Sequence, residues 1–336
     1  MKQEAFIVSR SQNGAEAGAP AHEPEDAGAR RLSSALVLPT LNAGLGFAEW
    51  LKVLRGQTCQ PDKLLLIDSS SADNTVALAR QAGFEVISIR REEFSHGGTR
   101  QMALERLDSY ELVIFLTQDA LPASERSLER LLRWFSDPQV AAVYGRQLPR
   151  PGAGAIEAHA RLFNYPDSTA VRSSADIARL GLKTVFISNS FAAWRRKALL
   201  DGGGFPDHTI QNEDSHAAAR LILAGWKVVY ESEATVYHSH PLSLRQEFQR
   251  YFDIGVFHAR DPWIRRSFGA AEGEGLRYVK SELRFLRRAN GWAIPSAFLR
   301  SGLKFIGYRL GSVERLIPRT LKKRLSGNKA YWRSAP

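Results

Sequence analysis

Cysteine is nearly missing: Cys59 stands alone among 336 residues. A single thiol closes no intrachain disulfide and builds no cysteine-rich zinc site, so a reducing compartment is expected. Long apolar runs are missing as well. No stretch of about 18 uncharged apolar residues occurs, which excludes a membrane-spanning helix of ordinary length. Met1 to Ala15 has no apolar core of the kind a secretion signal needs, and a cytoplasmic location is the expectation. Two nucleotide-binding fingerprints are also absent. The turn after the first apolar run reads Pro39-Thr40-Leu41-Asn42-Ala43-Gly44 rather than Gly-x-Gly-x-x-Gly, and no Walker P-loop is found.

What is present is ordinary in amount and uneven in distribution. Hydrophobic residues make up 44% and charged residues 24% of the chain. That suits a globular α/β domain, alone or with an appendage. The net charge is +11, but residues 243–336 carry 20 Lys/Arg against 7 Asp/Glu, a balance of +13 that leaves −2 for residues 1–242. The basic character therefore belongs to the C-terminal segment. An acidic polymer or the anionic inner face of the cytoplasmic membrane would suit it, with peripheral attachment expected. No nucleic-acid-binding motif accompanies the charge, so no nucleic-acid partner is expected.

The chain divides into three. Residues 1–33, rich in Ala, Gly, Glu and Pro, read as a disordered leader. Residues 34–242 alternate short apolar runs with helical spacing. Predicted strands at 35–39, 63–67, 84–89 and 112–115 are separated by helical patterns, the signature of a largely parallel sheet with right-handed crossovers. Residues 243–336 read as basic amphipathic helices, with Leu276, Val279, Leu283 and Leu286 in one run and Ile294, Phe298, Phe305 and Ile306 in another. These helices either pack on the main domain or lie on a membrane surface.

Strands one, two and four each end in polar residues, which places Asp68 and Asp119 on one edge of the sheet. Each carboxylate has a plainer reading as a cap for the segment that follows it. The paired glycines of His96-Gly97-Gly98-Thr99-Arg100 offer backbone N–H groups to a phosphate or sugar, or form no more than a helix entry. Asp214 is either a helix cap or a general base. His238 and His240 follow a strand-like run, where histidines are commonly structural or solvated. Trp194 either fills the core or stacks on a sugar face.

Taken together, these motifs resemble the family 2 glycosyltransferases, inverting enzymes of the GT-A fold. Pro39-Thr40-Leu41-Asn42 resembles the family's opening motif, and Asp68 to Thr75 its base-cradling turn. Gln118-Asp119-Ala120 sits where the family has Asp-x-Asp, and Asn212-Glu213-Asp214 resembles the pair that supplies its catalytic base. The likeness spans about residues 35–240, and Phe94 to Arg100 with Thr117 to Ala120 are most similar to rhamnosyltransferases of bacterial surface-polysaccharide synthesis.

The resemblance implies roles for particular residues. Pro39, Thr40, Asn42, Asp68, Ser70, His96, Gly97, Gly98, Arg100, Gln118 and Asp119 would meet the nucleotide-sugar donor. Glu213 and Trp194 would meet the acceptor, and Asp214 would take its proton. A Mg²⁺ or Mn²⁺ ion would be held by Asp119 and a late histidine, His238, with His240 as the alternative. The implied donor is dTDP-L-rhamnose, the implied acceptor a lipid-linked or growing glycan. One departure stands out: Thr117 occupies the place of the first carboxylate of Asp-x-Asp. Divalent ions at phosphate sites take one or two protein carboxylates, so the pattern still accommodates metal. The competing readings are a UDP-hexose donor and, in another class, a non-catalytic polyanion binder.

Overall fold

The computed structural model describes residues 30–269 and 273–334; residues 1–29 of the expected leader lie outside them. The strands are β1 (Ser34–Thr40), β2 (Lys63–Asp68), β3 (Glu85–Ser88), β4 (Leu112–Leu116), β5 (Leu121–Pro122), β6 (Val140–Leu148), β7 (Ala170–Arg172), β8 (Phe191–Arg195) and β9 (Lys227–Tyr237). They form one sheet in the order β3-β2-β1-β4-β8-β6-β9-β5, with β7 also on β9. The four strands predicted from sequence are mutually parallel. β6 and β9 run the same way, while β5, β7 and β8 oppose them.

The apolar runs become strands because both faces of the sheet are covered. Ala35, Val37, Ile67, Val113 and Phe115 point into one core, and Leu36, Leu38, Leu66, Ile114 and Leu116 into the other. The helix Phe47–Arg55 seals the second core with Phe47, Trp50, Leu51 and Leu54. Helices His96–Arg106 and Glu213–Leu223 contribute Ala103, Leu104, Ala217 and Leu221 to the first. Asn74 stands at the start of the helix Thr75–Gln81 without a side-chain cap bond, and the preceding Asp73 carboxylate accepts the Thr75 N–H at 3.0 Å.

The C-terminal segment is helical, as its spacing predicts, with its longest helices at Leu244–Arg260, Glu274–Ala289 and Ile294–Ser312. It is not a separable appendage. Phe252, Val256, Phe257, Ile264 and Trp332 enter the same core as Trp194 and Tyr230. The first and last of the three helices touch backbone to backbone: a Cβ on Gly311 would lie 2.0 Å from the Phe252 carbonyl oxygen. The expected packing stripe is only partly used. Leu276, Phe298, Phe305 and Ile306 remain exposed, and Trp292 is 96% exposed. Among the described residues no helix is long and apolar enough to cross a membrane.

Candidate active site

The parallel strands deliver their C-terminal ends to one edge, where register pairs Thr40 of β1 with Asp68 of β2. Asp68 accepts the Ser71 N–H through Oδ2 at 2.9 Å, the local turn that its capping reading anticipated. Its Oδ1 and the Thr40 Oγ1 are buried without a hydrogen-bond partner. Such orphans cost about 1–3 kcal/mol each, so two of them on paired residues suit an incoming polar ligand. The loops after β1 and β2 are laced together. Asn42 Oδ1 accepts from Ala72 N at 2.8 Å, and Asn42 N donates to Ser71 Oγ at 2.8 Å. Ser70 donates from Oγ to the Ile89 carbonyl at 2.9 Å.

Asn42, Ser70 and Asn212 have φ of 46°, 65° and 63°, the only non-glycine residues with positive φ among those described. Strained backbone of this kind concentrates at functional sites. Gln118 is engaged elsewhere than expected. Its amide accepts from Leu41 N at 2.9 Å and donates to Leu41 O at 3.1 Å, so it ties the end of β4 to that of β1.

Opposite this edge, the left-handed turn at Asn212 starts the helix that carries Glu213 and Asp214. Buried Asn189 organises the pair: its N–H donates to Asp214 Oδ2 at 3.0 Å and its Nδ2 to Glu213 Oε1 at 3.2 Å. Glu213 also accepts from Arg100 Nη1 at 2.9 Å in an ion pair whose two side chains are buried. Burial alone would raise both carboxyls, but the two diverge. Arg100 and the Asn189 amide hold Glu213 below the usual carboxylate range. Burial, reinforced by the charge of Glu213, pushes Asp214 up to about 7. One carboxylate is thus locked in its charged form while its neighbour sits near neutrality, the arrangement in which an acid/base pair divides its roles.

Asp119 meets both late histidines. His238 Nε2 lies 3.4 Å from Oδ1 and His240 Nε2 3.0 Å from Oδ2, while the two ring nitrogens are 3.2 Å apart. All three ligand atoms fall within 4.8 Å of one another. Sequence reading offered His238 or His240; the fold brings both to Asp119. Gln147, buried on β6, orients the ring: its Oε1 accepts Arg161 Nη1 at 2.7 Å and a hydrogen bond from His238 Nδ1 at 2.9 Å. His238 Nε2 is thereby turned toward Asp119, the outer-shell device of metal-binding imidazoles. Desolvation lowers the His238 pKa. Burial works against ionisation of Asp119, yet the two imidazoles still hold it well below the usual carboxylate range. Neutral imidazole beside ionised carboxylate is the donor set a divalent cation requires.

His96, Arg100, Asp119, Glu213, Asp214 and His238 line one cavity of about 290 Å³. Pro39, Thr40, Asn42, Asp68 and Ser70 lie outside its walls, on the neighbouring strand ends. The glycine pair has a packing role. A Cβ on Gly97 would fall 1.7 Å from the Pro206 carbonyl oxygen, and Gly98 gives its N–H to the capping Ser95 Oγ at 3.0 Å. The Gly98 N–H expected at the phosphate is therefore already spent.

Trp194 must be corrected outright. It is fully buried on β8, and its Nε1 donates to Asn189 Oδ1 at 2.8 Å. No ring face is left for a sugar; the indole instead positions the residue that holds both carboxylates. Asn189 and Gln147 were missed in the sequence. The only hint of Asn189 was a polar Ser188-Asn189-Ser190 run against an apolar strand.

Comparison with known proteins adds the following. Residues 35–203 match the family model described as glycosyl transferase family 2. The chain is 48% identical over 298 residues to the O-antigen chain rhamnosyltransferase RfbN of Salmonella typhimurium, across 88% of this chain and 95% of the relative. It is 49% identical over 301 residues to the O-antigen chain rhamnosyltransferase WbaN of Salmonella anatum, across 89% and 96%. Among solved structures, a mannosyltransferase from Pyrobaculum calidifontis, in complex with GDP-Man and Mn²⁺, superposes with a TM-score of 0.53. The two are 20% identical over 93% of this chain and 88% of that one, a likeness of GT-A fold alone.

Proposed function

Given that this chain belongs to glycosyl transferase family 2 and is a glycosyltransferase, we propose that it moves L-rhamnose from dTDP-L-rhamnose to a growing O-antigen-type surface glycan. The observation that carries the site assignment is the convergence of Asp119 and His238 with Glu213 and Asp214 on one cavity. The choice of sugar rests on the names of the two Salmonella relatives.

The reaction read from this geometry is a single displacement. Asp214 takes the proton of an acceptor hydroxyl as that oxygen bonds to the anomeric carbon. The bond from that carbon to the nucleoside diphosphate breaks on the opposite face, so configuration inverts. Arg100 and Asn189 keep Glu213 ionised, and its charge keeps the neighbouring carboxyl proton-hungry. Glu213 is thus a positioning and electrostatic residue before it is an acceptor ligand. Asp119, His238 and His240 would hold a Mg²⁺ or Mn²⁺ ion. When bound, such an ion offsets charge on the departing diphosphate as a Lewis acid. Asp68 and Thr40, with their orphaned oxygens, would receive the nucleotide base.

Thermal protection and donor hydrolysis across a panel of nucleotide sugars, with and without Mn²⁺, test the donor. dTDP-L-rhamnose is expected to give the largest metal-dependent shift. A larger response to a UDP-hexose would transfer the assignment to that donor.

We further propose peripheral attachment through the C-terminal helices, supported by their +13 charge balance beside the exposed Trp292, Phe298 and Phe305. Each Lys or Arg near an anionic leaflet contributes about 1 kcal/mol, and salt screens that attraction. Because Phe252 and Val256 share the main core, cutting the chain near Pro241 would damage the fold. Charge reversal at the exposed Arg284, Arg287 and Arg288 is the cleaner test. Co-sedimentation with anionic vesicles is expected, weakened by salt and by that triple change. Equal binding to neutral and anionic vesicles, or none to either, leaves these helices a packing role only.

A further inference from the structure

A second group of metal-type ligands lies beyond the catalytic pair, and the donor and acceptor chemistry makes no use of it. We propose that His208, His216 and Asp261 form a zinc site that staples the catalytic helix to the C-terminal helices.

The distances are the first reason. His208 Nε2 and His216 Nε2 lie 3.5 Å and 3.4 Å from one and the same oxygen, Asp261 Oδ1. Hydrogen bonds from nitrogen to oxygen run at about 2.7–3.2 Å, so neither contact is a good one. A tetrahedral zinc with ligand bonds of about 2.0–2.1 Å holds neighbouring ligand atoms roughly 3.3–3.4 Å apart. The two spacings to Asp261 match edges of that tetrahedron, and all three atoms fall within 4.8 Å of one another.

Burial is the second. His216 and Asp261 are buried, and among the described residues Asp261 is the polar group that meets the His216 ring, at Nε2. The ring is gripped edge-on by Trp263 at 5.1 Å and by His208 at 5.6 Å. The His208 side chain is 60% exposed, which leaves an open side where water completes a four-ligand shell. Two imidazoles and one carboxylate favour zinc over the hard, oxygen-seeking Mg²⁺ and Ca²⁺.

Connectivity gives the site a purpose. His216 stands two residues after Asp214 on the Glu213–Leu223 helix. His208 belongs to the segment before that helix, the stretch that presses the Pro206 carbonyl onto Gly97 and places Gln211 in the cavity wall. Asp261 joins the Leu244–Arg260 and Pro262–Phe268 helices. One ion would therefore fasten together the approach to the catalytic carboxylates, the helix that bears them and the C-terminal extension. An ion that binds only the folded chain raises its stability by mass action.

The full-length protein is stripped with chelator, then titrated with Co²⁺ and Zn²⁺. Visible absorption reports four-coordinate Co²⁺, and elemental analysis counts tightly held zinc. Wild type is expected to bind one equivalent more than His208→Ala or Asp261→Asn. Asp119→Ala is expected to keep that equivalent, which separates it from the Asp119 site. Zinc is also expected to raise the melting temperature of wild type and Asp119→Ala but not of His208→Ala. Equal stoichiometry and affinity in wild type and folded His208→Ala would overturn the proposal and leave a plain imidazole–carboxylate cluster. Should Asp261→Asn fail to fold, His208→Ala decides alone, since its side chain lies largely in solvent.

Discussion

Asp214→Asn is expected to cut turnover by about 10²–10⁴-fold while nucleotide binding persists, the usual worth of a general base. The structure also says what a merely structural Asp214 would do. Its carboxylate accepts N–H groups from Asn189 and Ser215 at 3.0 Å and 2.7 Å, so loss of a pure cap would show as lower stability with turnover largely kept. The catalytic reading predicts the reverse. Because burial and Glu213 raise the Asp214 pKa to about 7, the folded protein resists ionising it. Stability tied to this group is present in full below the unfolded carboxyl pKa and is lost as pH rises through about 7. An uncharged Asn removes that loss, so the variant should melt no lower than wild type at alkaline pH. For wild type the rate should fall about tenfold per unit as pH drops below the Asp214 pKa, because the protonated acid accepts no proton. A variant that turns over normally returns Asp214 to the role of a helix cap.

Asp119→Ala is expected to abolish the metal-dependent part of nucleoside diphosphate affinity, with His238→Ala and His240→Ala each weakening it. The carboxylate is the only acidic member of the cluster, and without it two imidazoles remain. Calorimetric titration with and without Mn²⁺ reads the effect directly. Gln147→Ala should act in the same direction and more mildly, by roughly 10–100-fold in metal affinity, as loss of an outer-shell partner does. A metal response in Asp119→Ala equal to that of wild type would sink the assignment. A loss of metal response in His238→Ala with none in His240→Ala would reduce the set to the two ligands first expected from sequence.

Both experiments depend on a division that runs through the whole molecule. The parallel half of the sheet was legible because strands covered on both faces must be apolar throughout, so β1, β2 and β4 stand out between polar turns. Once those strands are parallel, topology alone brings Asp68 and Asp119 to a common edge. The motifs in their order led to Asp214 as the expected base and to a late histidine as the expected metal partner of Asp119. They also marked residues that proved to be engaged within the protein itself. Gln118 serves the Leu41 backbone, Gly97 makes room for Pro206, and Trp194 is core.

Local pattern thus determined which residue types stand at the ends of strands, because periodicity of two or 3.6 residues is a property of neighbouring positions. Tertiary structure decided what each of them touches. The bonds that set the chemistry join residues 25, 91 and 113 positions apart: Asn189 to Asp214, Gln147 to His238 and Arg100 to Glu213. No local repeat encodes such pairs. They also account for the divergence of two adjacent carboxyls, since burial and a buried guanidinium act on Glu213 and Asp214 only after the chain has closed around them.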